Sequence, residues 1–278
     1  MSDFFRLVAA IFGDILPSHN IQKRNKCRKS CLNDVIYVCI HEWGGYAMQR
    51  TKEVHRIPSF NCGLESQIRR FKKYYGKYTV DLTITMSEPE KHNNLERVKS
   101  CCDNFISTDN IGMDFAGYSA FYNSIKGEQN AYVILTNSSV SDVEVEFIDD
   151  YINYMESNLD VGMLGVSYNS KCYQSIKRTN FTPHLQSFFL MSTIDVLHEI
   201  VKFNGEFPGA GIRNKRLLIR EGEIRISQIV LSLGYKLAVV TNEGVVKFTN
   251  NRNDWNLKIG DCRIGSEFPN AIIAIPKV

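Results

Sequence analysis

Two short polar segments of this chain have residue types and a spacing that suit ligand binding. The first, Asn110-Ile111-Gly112-Met113-Asp114, opens a helical pattern, and the second, Asn137-Ser138-Ser139, follows the apolar strand pattern of residues 132–135. α/β proteins bind ligands where strands end and helices begin. The pair of segments therefore favours an enzyme that uses a sugar nucleotide.

Sugar transfer from a nucleotide donor places four chemical demands on a site. The base and ribose need a pocket at strand ends, and the diphosphate needs its charge compensated by a metal ion or by arginine and lysine. An inverting mechanism also needs a carboxylate that accepts the proton of the acceptor hydroxyl. The acceptor itself needs a shaped site. The residues that meet these demands must come from several parts of the chain.

Further motifs follow the two polar segments in a fixed order. Asp160-x-Gly162 precedes residues 184–190 (HLQSFFL), and a helical pattern that starts at Glu223 ends in residues 234–236 (GYK). Together with the Asn-x-Gly-x-Asp turn at 110–114, these motifs resemble those of rhamnan-synthesis-type proteins, a branch of the GT-A glycosyltransferases. The resemblance extends over about residues 35–240.

The resemblance implies a role for individual residues. Glu223 takes the position of the catalytic carboxylate, counting back from Gly234, and Glu221 is the neighbouring candidate. The implied nucleotide-sugar-binding residues are His41, Asn110, Gly112, Asp114, Asn137, Ser138 and Ser139, and those near the donor sugar or the acceptor are Asp160, His184 and Gln186.

Residues 137–139 depart from the family pattern, which has an acidic metal-binding motif at this strand end. Mg²⁺ and Mn²⁺ prefer charged oxygen ligands, whereas Asn137 and two serines offer only neutral ones. Three explanations stay open. A metal binds weakly through the donor phosphates and Asn137, or basic residues compensate the diphosphate, or the protein is a catalytically silent relative. The basic candidates are Arg213, Lys215, Arg216 and Arg220.

Several of these residues also have a purely structural interpretation. Asp114 has the residue type of a helix cap, and Gly112 suits a turn with positive φ. Glu223 is favoured by the dipole at a helix N-terminus. His184 precedes an apolar strand and has the pattern of a hydrogen-bonded core histidine.

The elements that must position these residues alternate along the chain between strand and helix patterns. Predicted strands are Val35–Ile40, Thr79–Thr85, Cys102–Ser107, Tyr132–Leu135, Val161–Ser167, Phe188–Met191 and Lys236–Thr241, and predicted helices include Leu64–Tyr75, Glu90–Lys99, Thr193–Phe203 and Glu223–Leu233. Residues 41–63 are predicted to be a loop. The alternation predicts an α/β fold, a single GT-A-like (Rossmann-like) domain with a mostly parallel mixed sheet flanked by helices.

The domain is predicted to span residues 34–242. An N-terminal helix and basic segment, residues 1–33, precede it, and a C-terminal extension packed on the domain, residues 243–278, follows it. The N-terminal helix has one apolar face, at Phe4, Val8, Ile11, Phe12 and Ile15, and a basic cluster of Lys23, Arg24, Lys26, Arg28 and Lys29 comes next. This pattern is typical of a helix that docks on its own domain, and also of peripheral contact with an anionic membrane.

Composition limits the class of partner. A formal net charge of +3 gives no reason to expect nucleic-acid binding, and no apolar run is long enough to span a membrane. Eight cysteines with no secretory signal are interpreted as reduced thiols of a cytoplasmic protein.

The leading function is a glycosyltransferase that uses a nucleoside-diphosphate sugar, with rhamnose or another deoxysugar as the donor sugar and a glycan as acceptor. The alternative is a non-catalytic GT-A-like module that binds sugar nucleotide or glycan. A nucleotide-dependent α/β enzyme of another kind is disfavoured, because the chain has neither a P-loop nor a dinucleotide-binding glycine motif.

Overall fold

The computed structural model describes residues 3, 5, 7, 8, 25–31, 33–54, 57–172, 181–255 and 270–276. In this part of the chain, twelve strands and seven α-helices have defined bounds. The strands are β1 (Val35–Trp43), β2 (Arg50–Val54), β3 (Ile57–Cys62), β4 (Thr79–Ser87), β5 (Asn104–Thr108), β6 (Tyr132–Asn137), β7 (Val161–Gly165), β8 (Tyr168–Asn169), β9 (His184–Leu185), β10 (Phe189–Thr193), β11 (Lys236–Thr241) and β12 (Gly244–Phe248). The helices are α1 (Leu64–Lys72), α2 (Leu95–Ser100), α3 (Asp114–Ile125), α4 (Ile148–Ser157), α5 (Ile194–Asn204), α6 (Lys215–Leu218) and α7 (Arg225–Ser232).

Eight of the strands form one mixed sheet in the order β12-β11-β7-β10-β6-β1-β4-β5. Strands β6, β1, β4 and β5 are parallel, and β10 joins them antiparallel between β6 and β7. His41 of β1 is paired with Asn137 of β6 and with Thr85 of β4. The carboxyl ends of these parallel strands therefore meet at one edge of the sheet, which we call the carboxyl edge. The predicted fold class is confirmed.

Helices cover both faces of the sheet because its central strands are apolar on both sides. Cys39, Val133 and Leu190 face the layer formed by α3, α5 and α7. Val38 and Ile134 point the other way and face the layer of α1 and α4.

Helix α3 lies unusually close to β1 and β4. A Cβ atom placed on Gly117 would be 2.1 Å from Nδ1 of His41 and 2.4 Å from Oγ1 of Thr85. A side chain at position 117 would therefore push the helix away from the sheet. Glycine at this position lets the first turn of α3, with Asp114, reach the end of β6.

The predicted loop at 41–63 is only partly correct, because it contains the two-stranded hairpin β2–β3. The predicted helix at 90–99 is also wrong in its first half. Pro89–Lys91 form a 3-10 turn, and α2 starts only after Asn94. Strand β5 starts two residues later than predicted, because residues 101–103 form a turn and bend between α2 and the strand.

The boundary predicted at 242/243 falls inside a hairpin. Strand β12 pairs antiparallel with β11 and forms the end of the large sheet. Further on, Ile272 is buried in the core, and the backbone carbonyl of Ile273 accepts a hydrogen bond from the hydroxyl of Tyr151 at 2.6 Å. The start of the predicted extension is thus continuous with the sheet.

Described parts of the N-terminal segment contact the domain. Leu7 packs against the core, and the Asp3 carboxylate accepts hydrogen bonds from the backbone N–H groups of Arg213 and Asn214, both at 2.9 Å. Arg28 is buried and contacts Glu156 and the carbonyl of Val161. These contacts support docking on the domain. Outside the described residues lie Phe4, Ile11, Phe12, Ile15, Lys23 and Arg24 of the predicted apolar face and basic cluster.

Among the helices of the described ranges, none combines the length and the apolar character that crossing a membrane requires.

Candidate functional site

A cavity of about 360 Å³ opens at the carboxyl edge of the sheet. Six of the residues that the sequence predicts for the site line it, although they come from four separate parts of the chain. These residues are Asp114, Asn137, Ser139, His184, Gln186 and Glu223. The turn at the head of α3, the end of β6, the β9–β10 connection and the segment before α7 thus converge on one volume.

Asp114 and Asn137 form the inner pair of this cavity. Nδ2 of Asn137 donates to a carboxylate oxygen of Asp114 at 2.6 Å, and Oδ1 of Asn137 accepts from the backbone N–H of Ser139 at 2.9 Å. Asp114 is the first residue of α3, whose N-cap position is Met113, with no side-chain cap. The Asp114 carboxylate therefore does not act as the cap that its residue type suggests, and it faces the cavity instead.

The turn before Asp114 has a strained backbone. Gly112 has φ of +103° and Met113 has φ of +48°. A non-glycine residue in this region costs about 1–3 kcal/mol and is kept where the surrounding structure requires it. Here the turn brings Met113, which lines the cavity, and Asp114 to the carboxyl edge.

Glu223 lies in a π-helical turn, Ile219–Ile224, that connects α6 to α7. One carboxylate oxygen accepts hydrogen bonds from both the backbone N–H and the hydroxyl of Ser187, each at 2.9 Å. The other oxygen lies 3.8 Å from Nε2 of His184. The two hydrogen bonds orient the carboxylate, and the side chain, which is 18% exposed, still reaches the cavity.

His184 and Gln186 lie on the same wall of the cavity. Nδ1 of His184 donates to the backbone carbonyl of Thr182 at 2.6 Å, since a carbonyl oxygen can only accept. The side-chain oxygen of Gln186 accepts from the hydroxyl of Ser167 at 3.0 Å. His184 is therefore both a hydrogen-bonded buried histidine and a cavity residue, which combines the two interpretations of its sequence pattern.

The other predicted site residues, all within the described ranges, do not line the cavity. His41 is buried below it, with Nδ1 3.0 Å from the hydroxyl oxygen of Thr85. Burial lowers the pKa of His41, although the nearby Asp114 carboxylate acts in the opposite direction. The hydroxyl of Ser138 accepts from Arg50 at 2.7 Å. Asn110 is exposed in the turn.

Two predicted acids have different surroundings from Glu223. Glu221 belongs to the same π-helical turn but is absent from the described cavity lining. Asp160 lies at the amino end of β7, at the opposite edge of the sheet, where it pairs with Lys236 at 2.8 Å and with Lys247 at 3.3 Å. The structure therefore separates Asp160 from the residues that the resemblance grouped with it.

The structure adds residues that the sequence reasoning missed. Lys52 of the β2–β3 hairpin, Lys171, and Asn270 from the C-terminal segment all line the cavity. Asn270 is held there because its Nδ2 donates to the carbonyl of Ser139 at 3.2 Å. Residues 50–54 (RTKEV) are polar at four of five positions, so no alternation in the sequence predicts a strand that carries Lys52.

A buried ion pair between Glu42 and Arg50 lies next to the carboxyl end of β6. Glu42 is buried next to Arg50, whose guanidinium lies 3.3 Å from a carboxylate oxygen of Glu42 and also binds Ser138. Burial raises the pKa of Glu42 to about 7, although Arg50 opposes the increase. The pair fixes Ser138 and the base of the hairpin that carries Lys52.

The strand end does not have the ligand set of a metal site formed by the protein alone. Hard divalent cations take several oxygen ligands, usually including more than one carboxylate. At this edge Asp114 is paired with Asn137, whose side-chain oxygen already accepts from Ser139. Within the described ranges, no three acidic, histidine or cysteine side chains form a group that could hold a metal ion.

The sheet, its helices and the polar cavity at the carboxyl edge define an α/β protein with a ligand site where parallel strands end. The family model of rhamnan synthesis protein F matches residues 83–261, which is more than half of the chain and includes most of the cavity-lining residues. The chain belongs to this family, and it is a glycosyltransferase.

Comparison with solved structures gives distant likenesses. A CMP:2-keto-3-deoxy-manno-octonic acid synthetase complexed with CTP is 8% identical, with a TM-score of 0.42 over 73% of this chain and 87% of that chain. Glucosyl-3-phosphoglycerate synthase of M. tuberculosis is 10% identical, with a TM-score of 0.39 over 72% and 79% of the two chains. S. aureus TarS, residues 1–349, is 9% identical, with a TM-score of 0.42 over 79% and 61%. A sequence comparison with curated proteins gave no match.

Proposed function

We propose that this glycosyltransferase moves a sugar from a nucleoside-diphosphate donor to a hydroxyl group of a glycan, with inversion at the anomeric carbon. The observation that carries the proposal is the position of Glu223, whose oriented carboxylate shares one cavity with Asp114 and Asn137. Family membership supports rhamnose, or a related deoxysugar, as the sugar transferred.

In this proposal the donor nucleoside lies toward the inner pair of the cavity. The Asp114 carboxylate accepts hydrogen bonds from the ribose or base, and Asn137 keeps that carboxylate in place. His184 and Gln186, on the wall near Glu223, bind hydroxyl groups of the donor sugar or the acceptor. The anomeric carbon then lies between the two groups of residues.

Glu223 supplies the acid–base chemistry. The acceptor oxygen attacks the anomeric carbon, the bond between that carbon and the diphosphate oxygen breaks, and the acceptor proton passes to the Glu223 carboxylate. The two hydrogen bonds from Ser187 orient one carboxylate oxygen and leave the other directed toward His184 and the cavity. Such fixed orientation lowers the barrier because less has to be rearranged in the transition state.

The test of this proposal is the Glu223→Gln variant. We expect the rate of sugar transfer to fall at least about 100-fold, because glutamine has nearly the same size as glutamate but cannot accept the proton. Release of nucleoside diphosphate from dTDP-rhamnose or UDP-rhamnose, with a rhamnan oligosaccharide as acceptor, measures the rate.

Glu221→Gln is the matched control, since Glu221 belongs to the same π-helical turn. It should keep the transfer rate within about threefold, because a partly exposed carboxylate outside the reaction contributes little. If Glu221→Gln loses most of its transfer rate while Glu223→Gln keeps normal turnover, Glu221 is the general base.

One observation favours a second candidate function, a non-catalytic module that binds sugar nucleotide or glycan. The neutral residues Asn137, Ser138 and Ser139 occupy the strand end where a metal-binding motif is expected. Tight nucleotide-sugar binding by titration calorimetry, combined with no transfer or hydrolysis by the unmodified protein, would establish this second function. Turnover that depends on Glu223 would reject it.

A further inference from the structure

The cavity receives positive charge from three separate elements. Among the described residues, Lys52 of β2, Lys171 after β8 and Lys215 at the start of α6 line it. Lys171 and Lys215 are exposed, and Lys52 is partly buried. Long, flexible lysine side chains at the rim of a cavity can fold onto a bound anion.

The two carboxylates of the same cavity are held to its wall by uncharged hydrogen-bond donors. Asp114 accepts from Asn137, and Glu223 accepts twice from Ser187. Among the described lining residues, three lysines therefore outnumber the two carboxylates. A nucleoside diphosphate is complementary to this excess because it carries negative charge on two phosphoryl groups.

The oxygen atoms at the end of β6 do not form a metal site that could compensate the negative charge of the diphosphate. The side-chain oxygen of Asn137 accepts from Ser139, and the hydroxyl of Ser138 accepts from Arg50. Neutral oxygens with these commitments are poor ligands for a hard divalent cation. Lysine, in contrast, is a common point-charge partner of phosphate.

We propose that Lys52, Lys171 and Lys215 bind the diphosphate of the donor, so that the donor binds and the diphosphate departs without a divalent cation. The proposal rests on the sugar-transfer function proposed above and names the groups that replace the metal. When the bond between the anomeric carbon and the diphosphate oxygen breaks, the electron pair stays on that oxygen, and the ammonium groups stabilise the added charge. The acceptor oxygen forms the new bond and its proton passes to Glu223.

The experiment is calorimetric titration of the full chain with UDP, dTDP and the corresponding monophosphates, in EDTA and again with Mn²⁺. We expect Kd for the diphosphates to agree within about threefold between the two conditions, and Lys215→Met to raise it about tenfold. Kd for the monophosphates should change less in the variant, because one phosphoryl group is missing.

Lys202→Met is the matched control. Lys202 is exposed on α5 and does not belong to the cavity lining, so its loss should leave Kd unchanged. Lys52→Met and Lys171→Met should each resemble Lys215→Met. Circular dichroism and the melting temperature show whether every variant is folded.

The different failures can be told apart. If EDTA weakens diphosphate binding more than tenfold and Mn²⁺ restores it, metal-free binding is overturned while the sugar-transfer function stands. If the lysine variants bind diphosphate as tightly as Lys202→Met does, the lysine assignment is overturned. If neither nucleotide binds in either condition and no transfer is measured, the proposed function itself fails.

Discussion

Several polar residues of the cavity are held in place by contacts with other parts of the protein. Asn137 donates to Asp114 and accepts from Ser139, while His184 donates to a backbone carbonyl and approaches Glu223. A side chain anchored in this way loses little freedom when a substrate binds. At the residue scale, the site is therefore organised before the donor arrives.

The buried Glu42 predicts how the stability of the folded protein changes with pH. Its pKa is about 7 in the folded protein, above the ordinary value of 4.5, because burial favours the neutral acid. Between these two values the folded state binds the proton more tightly than the unfolded chain does. The free energy of unfolding should therefore decrease as the pH rises from about 4.5 to about 7, by about 3 kcal/mol at most from this group.

In Glu42→Gln this part of the pH dependence should disappear, as measured by urea unfolding at several pH values. Glu53→Gln is the control, because Glu53 is an exposed glutamate on the same hairpin as Arg50. In Glu53→Gln the free energy of unfolding should change with pH as it does in the unmodified protein. Parallel stability curves for the unmodified protein and Glu42→Gln would show that Glu42 does not titrate in this range.

Among the elements, the π-helical turn Ile219–Ile224 is the one that decides where the Glu223 carboxylate lies. A π-helical turn inserts one residue into a helix and is often found at functional sites. It starts directly after α6, which carries Lys215, and ends at α7. A regular helix through this segment would direct residue 223 to a different side of the helix.

The packing of this turn against α3 can be tested through Gly222. A Cβ atom at position 222 would lie 2.8 Å from the ring of Phe115, which belongs to the first turn of α3. Gly222→Ala should therefore shift Glu223 relative to Asp114. We expect kcat to fall about tenfold or more, since small displacements of catalytic groups are costly, and stability to fall by about 1–3 kcal/mol.

Steady-state kinetics and denaturant unfolding of the same samples separate these two effects. Gly127→Ala is the matched control, because a Cβ atom there has no described atom within 4 Å. This control should retain activity and stability. Normal kcat in Gly222→Ala would mean that the π-helical turn adapts without moving the carboxylate.

At the scale of the whole molecule, the sheet separates two kinds of polar cluster. The carboxyl edge holds the cavity, and the amino edge holds the ion pairs of Asp160 with Lys236 and Lys247. The parallel strands β7 and β11 begin at that amino edge, so the pair between Asp160 and Lys236 joins two strand starts. Such pairs stabilise the fold modestly and do not contact the ligand volume.

Asp160→Asn should therefore leave the transfer rate within about twofold and lower the free energy of unfolding by about 1 kcal/mol. The matched change at the other edge, Asp114→Asn, should reduce kcat/KM about tenfold or more, because it removes a charged acceptor from the proposed donor site. The two variants are compared by nucleotide-release kinetics and urea unfolding. A loss of activity in Asp160→Asn equal to that in Asp114→Asn would contradict the separation of the two edges.

The sequence alone determined the local parts of this protein. Apolar runs such as residues 35–40 and 132–135 predict buried strands, and the order of the polar motifs, from Asp114 through His184 to Glu223, indicates the glycosyltransferase family. These features can be predicted because strand and helix periodicity and turn chemistry depend on neighbouring residues.

Only the tertiary structure decided which polar residues share the cavity. It buries His41 beneath the site, takes Asp160 to the opposite edge, and brings Lys52 and Asn270 to the cavity from segments with no motif. The physical reason is that these positions depend on sheet order and on close contacts between distant segments, such as α3 against β1 at Gly117. The spacing of residues along the sequence does not predict such contacts directly.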